Sequence, residues 1–254
     1  MAAVTIDPGR FDAVIFDMDG VITDTASVHA RCWARMFDEV LGARAPADGE
    51  DLSPFTPADY LRHVDGRPRE DGVVAFLESR GVDLPRGSAD DPPDALTAHG
   101  LGLRKDGYVQ AWLRERGVDV FGSTVALVRA LRAAGLRTGV FSASRSAADV
   151  LARAGVADLF EVRVDGVVAA ELGLPGKPDP ATLLEAVRRL GVDPARAVVV
   201  EDAQAGVEAG RRGGFGLVVG IDRTGQAEAL RAHGADVVVP DLAEVALRSH
   251  GGSP

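Results

Sequence analysis

Five short apolar runs constrain this chain more than anything else in it: AVIF at 13–16, TGVFS at 138–142, AVVVE at 197–201, LVVG at 217–220 and DVVV at 236–239. Apolar runs of that length, bounded by turn residues or charge, predict strands buried on both faces. Segments of helical length separate them at 124–134, 147–154, 180–190 and 203–211, and a further short strand is expected near 160–164. Strands alternating with helices of this size build a parallel sheet covered by helices on both sides. The expected fold is α/β, a Rossmann-like doubly wound parallel sheet.

Between AVIF and Tyr108 no segment reads as a strand. Apolar residues recur at helical spacing over 27–41 (Val28, Trp33, Met36, Phe37, Val40), and a loop-rich stretch holds Pro46, Pro54 and Pro57. A helix is expected over 70–80, stopped by Gly81. Asp90-Asp91-Pro92-Pro93-Asp94 forms a loop, and another helix is expected over 108–116. The reading is an all-helical cap domain at 26–106, inserted after the first strand into a core made of 1–25 and 107–254. A last helix is expected to follow 236–239. There is no repeat, and low complexity is confined to 251–254.

The chain has 254 residues, of which 46% are hydrophobic, enough for one large or two small domains with a sizeable core. Its formal charge is −10 with no basic block to offset it, which argues against nucleic acid and anionic membranes as partners. No apolar run nears the ~18 residues of a membrane span. The N-terminus lacks a basic patch followed by an apolar core, so no signal peptide is expected. One cysteine, Cys32, excludes an intrachain disulfide, and a reducing, cytoplasmic setting is expected by default.

Chemistry gathers where the expected strands end. AVIF runs straight into Asp17, Asp19 and Gly20, and open α/β sheets bind ligands at the carboxyl ends of their strands. Two close, desolvated carboxylates are costly, and a hard cation that takes oxygen ligands relieves them. A Mg²⁺ site is therefore expected here, with one aspartate as a nucleophile. TGVFS ends in Ser142-Ala143-Ser144, where a hydroxyl and backbone N–H groups can hold a phosphoryl oxygen. AVVVE ends in Glu201-Asp202. Between them lies Gly176-Lys177-Pro178-Asp179-Pro180, a loop stiffened by two prolines that can hold an ammonium over the acids. Taken singly these are turn residues, caps and helix-dipole acids. Together they put an acid pair, a hydroxyl, a lysine and a second acid pair at the carboxyl ends of one sheet. Only two of the 28 basic residues, Lys105 and Lys177, are lysine. Lysine is a compact point charge where arginine is a planar fork, and a crowded phosphoryl site beside a metal favours the former.

Asp17-x-Asp19, Ser142, Lys177 and Glu201-Asp202 match, in order, the four motifs of the haloacid dehalogenase superfamily, and the chain resembles its phosphotransferases with a small helical cap. The resemblance implies that Asp17 attacks phosphorus in line and becomes an aspartyl phosphate, while Asp19 protonates the leaving oxygen and then deprotonates the next acceptor. It implies Mg²⁺ held by Asp17, the backbone carbonyl of Asp19 and Asp202, with Glu201 assisting. Ser142, the Ala143 N–H and Lys177 would neutralise the equatorial oxygens. Within the superfamily, DMDGVITDTASVHARCW is similar to the β-phosphoglucomutases. That similarity implies Thr25 at a cap hinge, and His29 helping to gate the acid–base aspartate. Trp33 follows one helical turn later on the same face. Arg69, in Gly66-Arg67-Pro68-Arg69-Glu70-Asp71, would grip the distal phosphate. Lys105, in Arg104-Lys105-Asp106, would face the substrate, and Ser144-Arg145 would extend toward the second phosphate. Two features depart from the pattern: extra cap material around 46–60 and 83–97, and Arg145 where lysine is usual. The implied reaction interconverts β-glucose 1-phosphate and glucose 6-phosphate through a bisphosphate. The partner is a small phosphorylated sugar, with a monomer favoured. A sugar-phosphate phosphatase on the same scaffold is the alternative, since only the group attacking the aspartyl phosphate differs. A signalling receiver domain has its acid pair before the phosphoaccepting Asp and is about half this length. A P-loop kinase would need G-x-x-x-x-G-K-[ST], which is absent.

Overall fold

The computed structural model describes residues 4–45 and 47–248, so Pro46 and the tail 251–254 lie outside the described residues. The chain forms two compact units. One holds the segment up to Asp24 and the segment from Asp119 onward; the other is Thr25–Val118. Strand β1 (Val4–Ile6) precedes β2 (Ala13–Phe16), whose four residues are all buried. The second unit follows: α1 (Ala26–Gly42), the single turn α2 (Pro57–Asp59) running into a π-helical turn at Tyr60–Val64, α3 (Arg69–Ser79) and α4 (Ala98–Arg116). The first unit then resumes with α5 (Gly122–Ala133), β3 (Arg137–Phe141), α6 (Ala147–Arg153), β4 (Val162–Val164), α7 (Gly166–Leu172) and α8 (Ala181–Leu190). It closes with β5 (Ala197–Glu201), α9 (Gln204–Arg212), β6 (Leu217–Ile221), α10 (Ala227–Ala232), β7 (Val237–Val239) and β8 (Val245–Leu247).

The first unit is built on a six-stranded parallel sheet in the order β4-β3-β2-β5-β6-β7. Its strands read as unbroken apolar runs because both faces are covered. Ala13, Ile15, Ala197 and Val199 pack against Leu183, Ala186, Val187 and Leu190 of α8 and Val207 and Ala209 of α9. Val14, Phe16, Val198 and Val200 alternate to the other face, and α5 packs on β3. The chain goes from β2 outward through β3 and β4, then crosses to β5 on the opposite side of β2. That reversal makes the β2–β5 seam a switch point, where the carboxyl ends of open α/β sheets bind ligands.

The second unit has its own core. Trp33, Met36, Phe37, Val40 and Leu41 form the apolar stripe of α1 and meet Phe55, Val64, Val73, Phe76 and Leu77. Phe37 stacks on Trp33 and Phe55 at centroid separations of 5.3 and 5.1 Å and tilts against Phe76 at 4.3 Å.

Three expectations need correction. Helix α4 starts at Ala98 rather than near Tyr108, so the expected boundary between 106 and 107 falls inside a helix and the second unit runs on to Val118. The Thr97 hydroxyl caps α4 by accepting from the Gly100 N–H at 3.0 Å. No last helix forms among the described residues after β7. Asp241 instead caps a 3₁₀ turn at Leu242–Glu244, and β8 pairs in parallel with β1 as a separate two-stranded sheet. Helices α7 and α10, and strand β1, were not anticipated.

Candidate active site

Register explains why the core residues converge. Phe16 lies level with Val140 of β3 and Val200 of β5, so the next residue of each strand, Asp17, Phe141 and Glu201, falls at one level of the sheet. Asp17 continues the ladder by donating its N–H to the Val200 carbonyl at 2.9 Å. Carboxylate oxygens of Asp17, Glu201 and Asp202 come within 4.8 Å of one another. Lys177 reaches in from its loop: Nζ stands 2.5 Å from Asp17 Oδ1, 3.2 Å from Glu201 Oε1, and 4.1 Å from the Phe141 ring centroid. All four charged residues are buried.

Charge does not balance within this cluster, where one ammonium faces three carboxylates. Burial is the larger influence on Asp17 and raises its pKa from the usual 3.8 to about 6; Lys177 pulls it down and Asp19 pushes it up. Burial works against the Lys177 ammonium, but Asp17 and Glu201 outweigh it and the pKa is raised. A hard divalent cation fits this donor set, because three oxygen donors with uncompensated negative charge are what such an ion binds. The carboxylate cluster does not include Asp19, whose implied ligand is a carbonyl oxygen.

Asp19 is half-buried in the tight turn that follows β2. The Gly20 N–H donates to the Thr23 carbonyl at 2.8 Å, and the Thr23 hydroxyl donates to the Met18 carbonyl at 3.2 Å. Gly20 has φ +84°, and a Cβ there would sit 1.8 Å from Asp202 Oδ2, so the turn's backbone lies directly against that carboxylate. Ser142 is buried one residue beyond β3, and its Oγ accepts from the Ser144 N–H at 3.0 Å. Ala143 and Ser144 are partly exposed and Arg145 is exposed.

The candidates of the helical unit form two groups. His29 Nδ1 lies 2.7 Å from Lys105 Nζ, and that ammonium is 5.0 Å from the Trp33 ring. Burial first, and Lys105 second, hold the His29 pKa well below its usual value, so the imidazole is neutral. Thr25 is buried at the start of α1, its carbonyl accepting from the His29 N–H at 2.9 Å. Arg69 forms the second group. It is buried and ion-paired with Asp106 and, at 2.8 Å, with Glu70, two partners that the sequence reading did not assign to it.

Two side chains from the loop after β6, not among the expected site residues, also reach this region. Arg223 donates to the Gly20 carbonyl at 3.1 Å, and Gln226 donates to the Asp202 carbonyl at 3.3 Å. Their signal was present in the same form as the others: Asp222-Arg223-Thr224-Gly225 is a polar cluster at the carboxyl end of a buried strand.

The family described as "Hydrolase: haloacid dehalogenase-like hydrolase" matches residues 11–214. The chain is 50% identical over 242 residues to a β-phosphoglucomutase of Mycobacterium tuberculosis, covering 94% of this chain and 92% of that protein. It is 44% identical over 131 residues to a trehalose-phosphate phosphatase of Mycobacterium leprae, covering 50% of this chain and 29% of that protein. Its fold is similar to the crystal structure of β-phosphoglucomutase from Clostridium difficile, with a TM-score of 0.72, 25% identity, and 92% of each chain covered.

Proposed function

The chain belongs to the haloacid dehalogenase-like hydrolase family and is an enzyme of the phosphomutase or phosphatase type; on that premise we propose that it transfers phosphoryl groups through an aspartyl phosphate at Asp17. The proposed reaction interconverts β-glucose 1-phosphate and glucose 6-phosphate through a bisphosphate. What supports this most is the surroundings of Asp17: a buried carboxylate 2.5 Å from an ammonium, within a cluster that includes Glu201 and Asp202. The 50% identity to a β-phosphoglucomutase over nearly the whole chain supports the substrate.

In this reading the Asp17 carboxylate attacks phosphorus and the sugar oxygen leaves on the opposite side. Asp19 hands a proton to that oxygen and, when the acceptor hydroxyl arrives, takes one back. Lys177, the Ser142 hydroxyl and the Ala143 N–H hold the equatorial oxygens as their charge rises. Mg²⁺ held by Asp17, Glu201, Asp202 and the Asp19 carbonyl would supply the positive charge that lets one anion approach another. Lys105 and Arg69 are the proposed grip on the second phosphate. Both are already engaged, Arg69 with Asp106 and Glu70 and Lys105 with His29, so a phosphate must compete for either.

A sugar-phosphate phosphatase is the second reading, favoured by the trehalose-phosphate phosphatase relative. Phosphorus NMR separates the two. Protein is incubated with β-glucose 1-phosphate, Mg²⁺ and a trace of glucose 1,6-bisphosphate. Glucose 6-phosphate is the expected product. Free phosphate without glucose 6-phosphate overturns the mutase assignment in favour of hydrolysis.

A further inference from the structure

We propose that Arg223 and Gln226 are positioning residues, clamping from one loop the backbone carbonyls of Gly20, in the Asp19 turn, and of Asp202, whose carboxylate lies against Gly20. This rests on the roles proposed above for Asp19 and Asp202.

The loop at 222–226 is itself well anchored. The Asp222 carboxylate accepts from the N–H groups of Thr224, Gly225 and Gln226 at 3.2, 2.7 and 2.8 Å, drawing the segment around one oxygen. From that base Arg223 Nε donates to the Gly20 carbonyl at 3.1 Å. The same guanidinium donates to Asp241 Oδ2 at 3.1 Å and lies 3.8 Å over the Phe121 ring, so both its plane and its far end are held. Gln226 Nε2 donates to the Asp202 carbonyl at 3.3 Å, and its Oε1 accepts from Gln204 at 3.1 Å. The two gripped carbonyls belong to residues in contact, since a Cβ on Gly20 would lie 1.8 Å from Asp202 Oδ2. Holding both carbonyls therefore sets how far the Asp19 turn stands from the carboxylate cluster.

The clamp comes with a cost. Arg223 Nη2 is buried without a hydrogen-bond partner among the described residues. An orphaned buried donor is unfavourable and calls for an explanation. Here a guanidinium is retained because its remaining donors reach three acceptors at once, the Gly20 carbonyl, the Pro240 carbonyl and Asp241, which a single ammonium spans poorly. Small displacements of catalytic groups matter, about a hundredfold in rate for 1 Å.

The test uses the full chain with Arg223→Met, which keeps a flexible apolar stem, Arg223→Lys, which restores a cation, and Gln226→Leu. Amide exchange in metal-free protein reads the turn directly. Arg223→Met is expected to speed exchange across 18–24 by about tenfold while leaving β3 and β4 unchanged, with partial recovery in Arg223→Lys. Turnover of β-glucose 1-phosphate is expected to lose about tenfold or more in kcat with KM within about twofold. Gln226→Leu is expected to weaken Mg²⁺ binding several-fold by calorimetry, and it carries the test if Arg223→Met does not fold. Unchanged exchange in Arg223→Met together with unchanged Mg²⁺ affinity in Gln226→Leu overturns the clamp, as does fast exchange with kcat and Mg²⁺ affinity both at wild-type values. If wild-type protein turns over no sugar phosphate, the proposed function falls instead, while exchange and Mg²⁺ affinity still decide the clamp.

Discussion

A carboxylate at position 17 is held against its own preference. Its pKa of about 6 lies above the usual 3.8 because burial outweighs the ammonium of Lys177. The folded chain therefore binds a proton between these values that the unfolded chain does not. The Asp17 contribution to stability falls as pH rises through that window. Metal-free protein should show a rising thermal midpoint from pH 7 to pH 5, and saturating Mg²⁺ should remove the trend by holding Asp17 ionised. A midpoint insensitive to Mg²⁺ across that range would count against the cluster as its site. For the same reason Asp17→Asn should abolish turnover yet stabilise the metal-free fold by about 1–3 kcal/mol, because Lys177 keeps Glu201 as a partner. Lys177→Met should do the opposite. It leaves the buried carboxylates uncompensated, and a loss of about 3–5 kcal/mol is expected by denaturant unfolding. Equal stabilities for the two variants would show that the charge imbalance is not what strains the site.

At the scale of the element, sequence legibility tracked how local the governing physics is. The buried strands and the helices on them were readable to within a residue or two because each is a short apolar run or a 3.6-residue stripe. The first half of α4 was not, because AHGLGLRKDG carries three glycines, which weaken any helix on propensity alone. At two of them close approach leaves no room for a side chain. A Cβ at Gly100 would meet the Ala95 carbonyl at 2.5 Å, and one at Gly102 would meet the Arg69 side chain at 2.7 Å. Gly102→Ala should therefore gain helix propensity but displace Arg69 from Asp106. A net loss of about 1–3 kcal/mol is expected on the scale of overpacked cores, and a neutral result would show that Arg69 moves freely. The tail of the chain failed for a different reason. A three-residue strand such as β8 gains its partner from β1, more than 200 residues away, and no local pattern announces that pairing.

Over the whole molecule the site is assembled from four separate stretches of chain, ending β2, β3 and β5 and including the Lys177 loop, so its integrity reports on the fold. A cation that binds only the folded chain stabilises it by about 2.7 kcal/mol at a hundred times its dissociation constant. Removing divalent ions with a chelator should thus lower the thermal midpoint by several degrees, about 2–4 °C per kcal/mol at this size. Asp17→Asn should blunt that response, whereas a full response in the variant would place the ion elsewhere. Lys105→Ala should reduce glucose 6-phosphate formation more than hydrolysis of the same sugar phosphate, and an equal loss in both would remove Lys105 from the proposed second grip.

The amino-acid sequence alone determined the parallel sheet and the polar residues that follow its buried strands, Asp17, Ser142, Glu201 and Asp202 among them, because apolar runs ending in polar residues are written locally. Tertiary structure alone decided which charges share a space. It set the 2.5 Å approach of Lys177 to Asp17, enclosed Arg69 between two carboxylates, and brought Arg223 to the Gly20 carbonyl. These are meetings between residues far apart in the chain, fixed by sheet order, register and close packing rather than by spacing along the sequence.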